Sequence, residues 1–231
     1  PYGKVMNPEL KNAPENMLEL GLGALAHANW HANYYSFEND KWAQLSVLQA
    51  AHAAEILIKA RIAQEHPLLI FEQLPRSTQV KSDTLSFEHL VEKAKTIQYS
   101  DLPERLWATT GIKINDLESF KSFGNLRNCI QHFADPRGKD CALESANFIY
   151  KVIDPLINQC WGLFAVNYNE DTTPYEYLIA SLIRRNIEFL VPKEVLGSEL
   201  NYIEFDWGES TQYKNKMVQR FFDSGYDIVG L

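Results

Sequence analysis

Cysteine is scarce in this 231-residue chain: Cys129, Cys141 and Cys160 are all there is, and no two have CxxC spacing. An odd number without that spacing reads as thiols in a reducing compartment, which points to the cytoplasm. Positive charge is also short. There are 22 Lys and Arg against 30 Asp and Glu, giving a net charge of −8 and a pI near 5.3. That argues against broad coating of nucleic acid, which needs a positive surface, but leaves room for a small positive site. Long apolar runs are missing. Stretches such as Trp161–Val166 fall far short of the ~20 residues that span a bilayer, so no membrane partner is expected. No secretory signal opens the chain, which begins at Pro1 without Met and reads as a processed or trimmed form. Glycine-rich phosphate loops, nucleophile elbows, internal repeats and low-complexity tracts are all lacking.

What is present is helical periodicity, in a chain whose 45% hydrophobic content supports a real core. Met17, Leu20, Ala24 and Ala28 follow one stripe from Pro14 to Tyr35. Trp42, Leu45, Leu48, Ile56 and Ile58 mark a second helix from about Asn39 to Glu65, closed by Pro67. A weaker helix is expected over Phe87–Ile97 and another over Asn115–Phe133, the latter closed by Asp135-Pro136. A last one runs from Asp140 to Val166 on Ala142, Ala146, Ile149, Ile153, Leu156, Cys160 and Phe164, with Pro155 set to kink or restart it. Long helices joined by short loops predict an up-and-down bundle.

The polar stretch from Asn167 to Pro174 is the expected boundary, with residues 1–168 as the bundle and 169–231 as a small α+β appendage. Within the appendage Thr173-Pro174-Tyr175-Glu176 reads as a capping box opening a helix. Asn201–Trp207 alternates like a strand, Ser210–Asp223 reads as helix, and Tyr226–Val229 as a short strand.

Leu126-Arg127-Asn128-Cys129-Ile130-Gln131-His132 concentrates the chemistry. Arginine grips phosphate with a rigid fork of donors. Histidine suits proton transfer near neutrality. Together they are the minimum for cutting RNA through its own 2′-hydroxyl without a metal. Asn128 and His132 are four apart and share a helix face, about 40° apart. Arg127 lies roughly 140° from His132, so its side chain must be steered, or a second subunit must supply the convergence. The neighbourhood is locally positive: Lys121, Arg127, Arg137 and Lys139 stand against Asp135 alone. Lys121, Arg137 and Lys139 are therefore the candidate RNA contacts. Cys129 reads as a small buried hydrophobe. Gly124-Asn125 leaves two readings open: one continuous helix, or a fresh start capped by Asn125 with free N–H groups near Arg127.

Glu55 falls on the stripe of Leu48, Ala51, Ile58 and Ile62. A carboxylate on an apolar stripe needs a partner, and Arg127, which follows Phe120 and Phe123 on its own stripe, is the expected one. The alternative is that Glu55 sits at a groove edge in water.

The run Ala51-His52-Ala53-Ala54-Glu55-Ile56-Leu57-Ile58-Lys59-Ala60, followed on a later helix by Arg127-Asn128 and His132, resembles the HEPN superfamily over about Met17–Val166. The hallmark of that superfamily is an arginine, a polar residue, and a histidine after four to six intervening residues. HepT toxins carry a tyrosine two residues after the histidine. Ala134 stands there in this chain, so the resemblance is to the superfamily and not clearly to that subgroup. It implies a HEPN-like bundle and a metal-independent endoribonuclease of toxin–antitoxin or phage-defence type, with no cofactor. His132 would exchange protons with the 2′-hydroxyl and the leaving oxygen. Arg127 would stabilise the phosphorane, and Asn128 would orient phosphate or imidazole. Partners implied are RNA, a second copy in a homodimer and an antitoxin protein. The other reading the resemblance allows is a non-catalytic dimerisation or RNA- or nucleotide-binding module.

Other features read as structural. His27 and His31 are four apart, and His52 lies on the next helix. No Glu-x-x-His repeat accompanies them, so no metal site is expected. His66 and His89 sit at helix ends. Arg184-Arg185-Asn186 reads as a solvated helix face, and Tyr202, Phe205 and Trp207 as a small core.

Overall fold

The periodicity of the sequence folds as helix. The computed structural model describes residues 8–80, 85–133, 138–170, 174–193 and 205–226. A short α1 (Pro8–Lys11) precedes α2 (Ala13–Asn33) and α3 (Trp42–Glu65). Two short strands, β1 (Phe71–Gln73) and β2 (Lys95–Thr96), flank α4 (Phe87–Lys93) in the chain. Then come α5 (Leu102–Thr110), α6 (Leu117–His132), α7 (Cys141–Phe148), α8 (Asp154–Trp161), α9 (Pro174–Arg184) and α10 (Thr211–Asp223). The fold is mainly α, a helical bundle with one two-stranded sheet among the described residues. Packing divides the chain into two compact units. One runs up to Leu22 and resumes over Ala54–Lys113; the other takes Gly23–Ala53 and the chain from Ile114.

In the first unit, α2 and α3 approach closely because Gly21 has no side chain. A Cβ there would lie 2.8 Å from both Cγ and Cδ2 of the buried Leu57. Leu57, Ile58 and Ile62 on α3 are fully buried, as are Leu102 and Leu106 on α5. Strands β1 and β2 pair antiparallel, Phe71 opposite Thr96 and Gln73 opposite Lys95, with an irregularity between. Helix α5 is absent from the sequence expectation, although Pro103 in its first turn and Gly111 at its left-handed C-terminus (φ 74°) are start and stop signals.

The second unit is built on an irregular helix. After α7 the chain widens into one π-helical stretch, Ile149–Ile153, before α8 begins. Pro155 explains the restart: it has no N–H, and its ring would collide with the carbonyl one turn back. Gly162 then ends α8 in a left-handed conformation (φ 69°). The core is dominated by Ile149, Ile153, Ile157, Leu178, Leu182, Phe189 and Phe221.

A buried polar network crosses this core. The carboxyl group of Asp154, fully buried, accepts the N–H of Ala165 at 2.8 Å and that of Leu190 at 2.9 Å, one on each oxygen. Asn29 donates to the carbonyls of Ala165 (3.0 Å) and Tyr168 (2.8 Å) and accepts the Tyr150 hydroxyl at 3.1 Å. Residues 187–192 are held by side chains from the α10 region. Tyr213 Oη donates to the carbonyl of Ile187, Arg220 to that of Phe189, Ser224 to that of Val191 and Tyr226 to that of Pro192. Every second carbonyl from 187 to 191 thus has a side-chain donor, as buried backbone acceptors require.

The helix expected over Ser210–Asp223 is α10, capped by Ser210 through the Tyr213 N–H. Of the strand expected over 201–207, residues 201–204 lie outside the described residues, and 205–207 form no ladder. The short strand expected over 226–229 also lies outside them, apart from Tyr226, and so does Thr173 of the capping box.

Candidate functional site

The motif helix is continuous. Asp116 opens α6 by accepting the Ser119 N–H at 2.9 Å and its hydroxyl at 2.7 Å, and these bonds hold its carboxyl below the usual aspartate range. Helix then runs unbroken to His132, with Gly124 buried inside it, which removes the reading of a fresh start at Asn125. Phe120, Phe123 and Leu126 form its buried stripe. Phe123 stacks on Phe148 of α7 at 3.9 Å between centroids with the rings nearly parallel. The start of α3 is tied to the same α7 by a buried hydrogen bond of 2.7 Å between the hydroxyls of Ser46 and Ser145. Helix α7 therefore braces both the middle of α6 and the start of α3.

With that face buried, the motif residues face outward. Arg127 is half-buried, and its Nη1 donates to Oδ1 of Asn128 at 3.0 Å. Asn128 thus steadies the guanidinium, a role the sequence reading gave to Glu55. Glu55, expected to pair with Arg127, is held by Lys59 at 2.6 Å, one turn further along α3. His132 is the last residue of α6 and is exposed; among the described residues its imidazole makes no hydrogen bond.

His132 lines an open groove of about 460 Å³. Lys41, just ahead of α3, and Gln44, Leu45 and Leu48 at its start form one side, and Ile130, Gln131 and His132 at the end of α6, with Phe133 just after it, form the other. Phe133 is 90% exposed. Among the described residues no carboxylate lines this groove. Two other grooves in the same unit differ: one carries Asp116, Glu118 and Glu144, the other Asp116 and Glu188.

The remaining candidate contacts are dispersed. Lys121 is exposed on α6, eleven residues before His132 and so about 16 Å away along the axis. Lys139 is exposed just ahead of α7, and Arg137 lies outside the described residues. Sequence reasoning missed Lys41, Gln44 and Phe133. Only Phe133 had a local signal, an aromatic immediately after the motif at a helix end.

The histidines of α2 are not alike. His27 is partly exposed and meets Glu170 at 2.7 Å. His31 is 4% exposed, packed between His27 and Trp42 at 4.2 and 3.8 Å, and burial lowers its pKa to about 4. Among the described residues no group of three or more His, Cys, Asp or Glu side chains suits a metal ion. None of the described helices is long and apolar enough to cross a membrane. Arg185, expected on a solvated face, donates to the Ala32 carbonyl at 2.9 Å and so caps the end of α2. Comparison with protein-family models, curated proteins and solved structures finds no match to this chain.

Proposed function

We propose that this chain is a metal-independent endoribonuclease of the HEPN type, acting in the cytoplasm as a toxin or phage-defence effector. Arg127, Asn128 and His132 are its catalytic set. The observation that carries the reading is the exposure of His132 in a groove whose lining, among the described residues, holds no carboxylate. A histidine kept for packing belongs inside, as His31 is. In the reaction the 2′-oxygen attacks phosphorus and the bond to the 5′-oxygen breaks. His132 takes the 2′-proton or supplies one to the leaving 5′-oxygen, and Arg127 neutralises the extra charge on the phosphorane. The products are a 2′,3′-cyclic phosphate and a 5′-hydroxyl.

Arg127 bonds Asn128 and lies roughly 140° around the helix from His132. That geometry favours a homodimer in which two motifs share one cleft, the His132 of one copy serving as base and that of its partner as acid. The same separation favours a second reading, a non-catalytic RNA- or nucleotide-binding dimerisation module. The two part on a single experiment. Incubation with single-stranded RNA in excess EDTA should give cyclic-phosphate and 5′-hydroxyl ends. Intact RNA that nevertheless binds assigns the module, and products with 3′-hydroxyl ends overturn the mechanism. An antitoxin partner predicts that the wild-type chain is toxic when expressed alone and that Arg127→Ala relieves it.

A further inference from the structure

The groove beside His132 has more structure than proton transfer needs. Its lining includes three aliphatic side chains, Leu45, Leu48 and Ile130, all partly open to water. Two amide side chains, Gln44 and Gln131, also line it, and Lys41 brings the one formal positive charge among the described lining residues. Phe133 holds a ring 90% exposed next to the motif histidine. A lining that combines apolar side chains with amides complements a nucleobase, which has apolar faces and a hydrogen-bonding rim. Aromatic rings left in water beside a cation are how single-stranded nucleic acid is commonly held. The volume, about 460 Å³, is within the range of small-ligand sites. Charge selects this groove over its neighbours. Among the described lining residues this groove has one cation and no carboxylate, whereas the other two set carboxylates beside Lys151 and, in one of them, Arg220.

We propose that this groove seats a nucleobase next to the scissile phosphate of a single-stranded RNA. Phe133 stacks on the base, Gln44 and Gln131 read its edge, and Lys41 takes the flanking phosphate. Phe133 and Lys41 are positioning residues, since the chemistry is left to His132 and Arg127. The inference rests on the ribonuclease reading for its orientation, but it is tested by binding alone.

The probe is a fluorescein-labelled 2′-O-methyl RNA decamer, which lacks the attacking hydroxyl and so binds without being cut. Its affinity for the full chain is followed by anisotropy in EDTA. Phe133→Ala should weaken binding roughly tenfold to a hundredfold, and Phe133→Trp should restore it. Replacing the bases of the decamer with abasic sites should remove the difference between wild type and Phe133→Ala. Lys41→Gln should reduce the slope of log affinity against log salt by about 0.7, the signature of one lost phosphate contact on a single strand.

Wild-type affinity in both variants, with metal-free cleavage intact, overturns the base groove and leaves the ribonuclease reading standing. Weakened binding in both, with no cleavage by any form, upholds the groove and overturns the ribonuclease. Nucleoside monophosphates binding as tightly as the decamer would overturn the placement of RNA. So would a Phe133→Ala variant that changes only the sedimentation of the dimer.

Discussion

The second unit contains two sets of polar side chains that are chemically similar and used in opposite ways. Around Asp154 and Asn29 the polar groups are buried, and each partner is a backbone group or side chain at 2.8–3.1 Å. At the end of α6, Asn128 and His132 face water, and Arg127 bonds its own neighbour Asn128. Buried polar groups must be satisfied, so the first set is committed to holding the 165–168 and 187–192 segments. Exposed groups are not so constrained and remain available to a substrate. The comparison teaches that perturbation alone does not mark function here. Asp154 is the strongly perturbed carboxyl, pushed up to about 7 by burial against the pull of two backbone N–H groups and Arg220, and it is structural.

The comparison breaks first at Asp154. Replacement by Ala strands two buried N–H donors, and urea denaturation should register a loss of about 2–4 kcal/mol. A loss below ~1 kcal/mol would mean that water substitutes for the carboxylate. The packed interior of the first unit should be nearly as intolerant. Gly21→Val drives a side chain into Leu57 and should cost about 1–3 kcal/mol. Gly23, two residues on, has open space around its Cβ position, so Gly23→Ala should instead stabilise by about 0.5–1 kcal/mol. The same sign for both, read as melting temperature, would count against the close helix approach.

Next in size is the pH dependence. The folded protein keeps a proton on Asp154 up to about pH 7, whereas the unfolded chain releases it near 3.8. Stability from this group is therefore full below about pH 4 and falls as pH rises to about 7. His31 works the other way. Burial, reinforced by His27, lowers it to about 4 from an ordinary 6.5, so its contribution is full above pH 6.5 and is lost as pH falls toward 4. Between these limits the two oppose each other. Asp154→Asn should add an upward slope of up to about 1.4 kcal/mol per pH unit relative to wild type. His31→Phe should add a downward one. Parallel curves for all three proteins would reject both assignments. The smallest stability effects belong to the motif: His132→Ala and Asn128→Ala should stay within about 0.5 kcal/mol of wild type in the same denaturation experiment.

Much of the helical frame was legible because apolar spacing dictates it. Helices α2, α3, α6 and α10 fall close to their expected limits, and the Pro155 restart follows from a missing N–H. The π stretch ahead of Pro155 was not, since it depends on how the ring is accommodated among packed neighbours. Strands β1 and β2, of three and two residues, are too short to show alternation. The partner of Glu55 was legible after all, because Lys59 stands at the i,i+4 position that favours an ion pair on one helix. At the candidate site, the sequence supplied Arg127, Asn128 and His132 through a spacing rule. Lys41, Gln44 and Phe133 could not be joined to them, because only the bracing of α3 and α6 on α7 forms the groove. Asp154 carries no local signal beyond preceding a proline, and its burial is a tertiary fact.

The central claim is that the end of α6 is kept for chemistry and not for holding the fold. The most direct test is the rate of metal-free RNA cleavage by His132→Ala, measured on protein whose melting temperature matches wild type. The account predicts a loss of at least about a hundredfold with no change in stability. Equal cleavage by both proteins would contradict it.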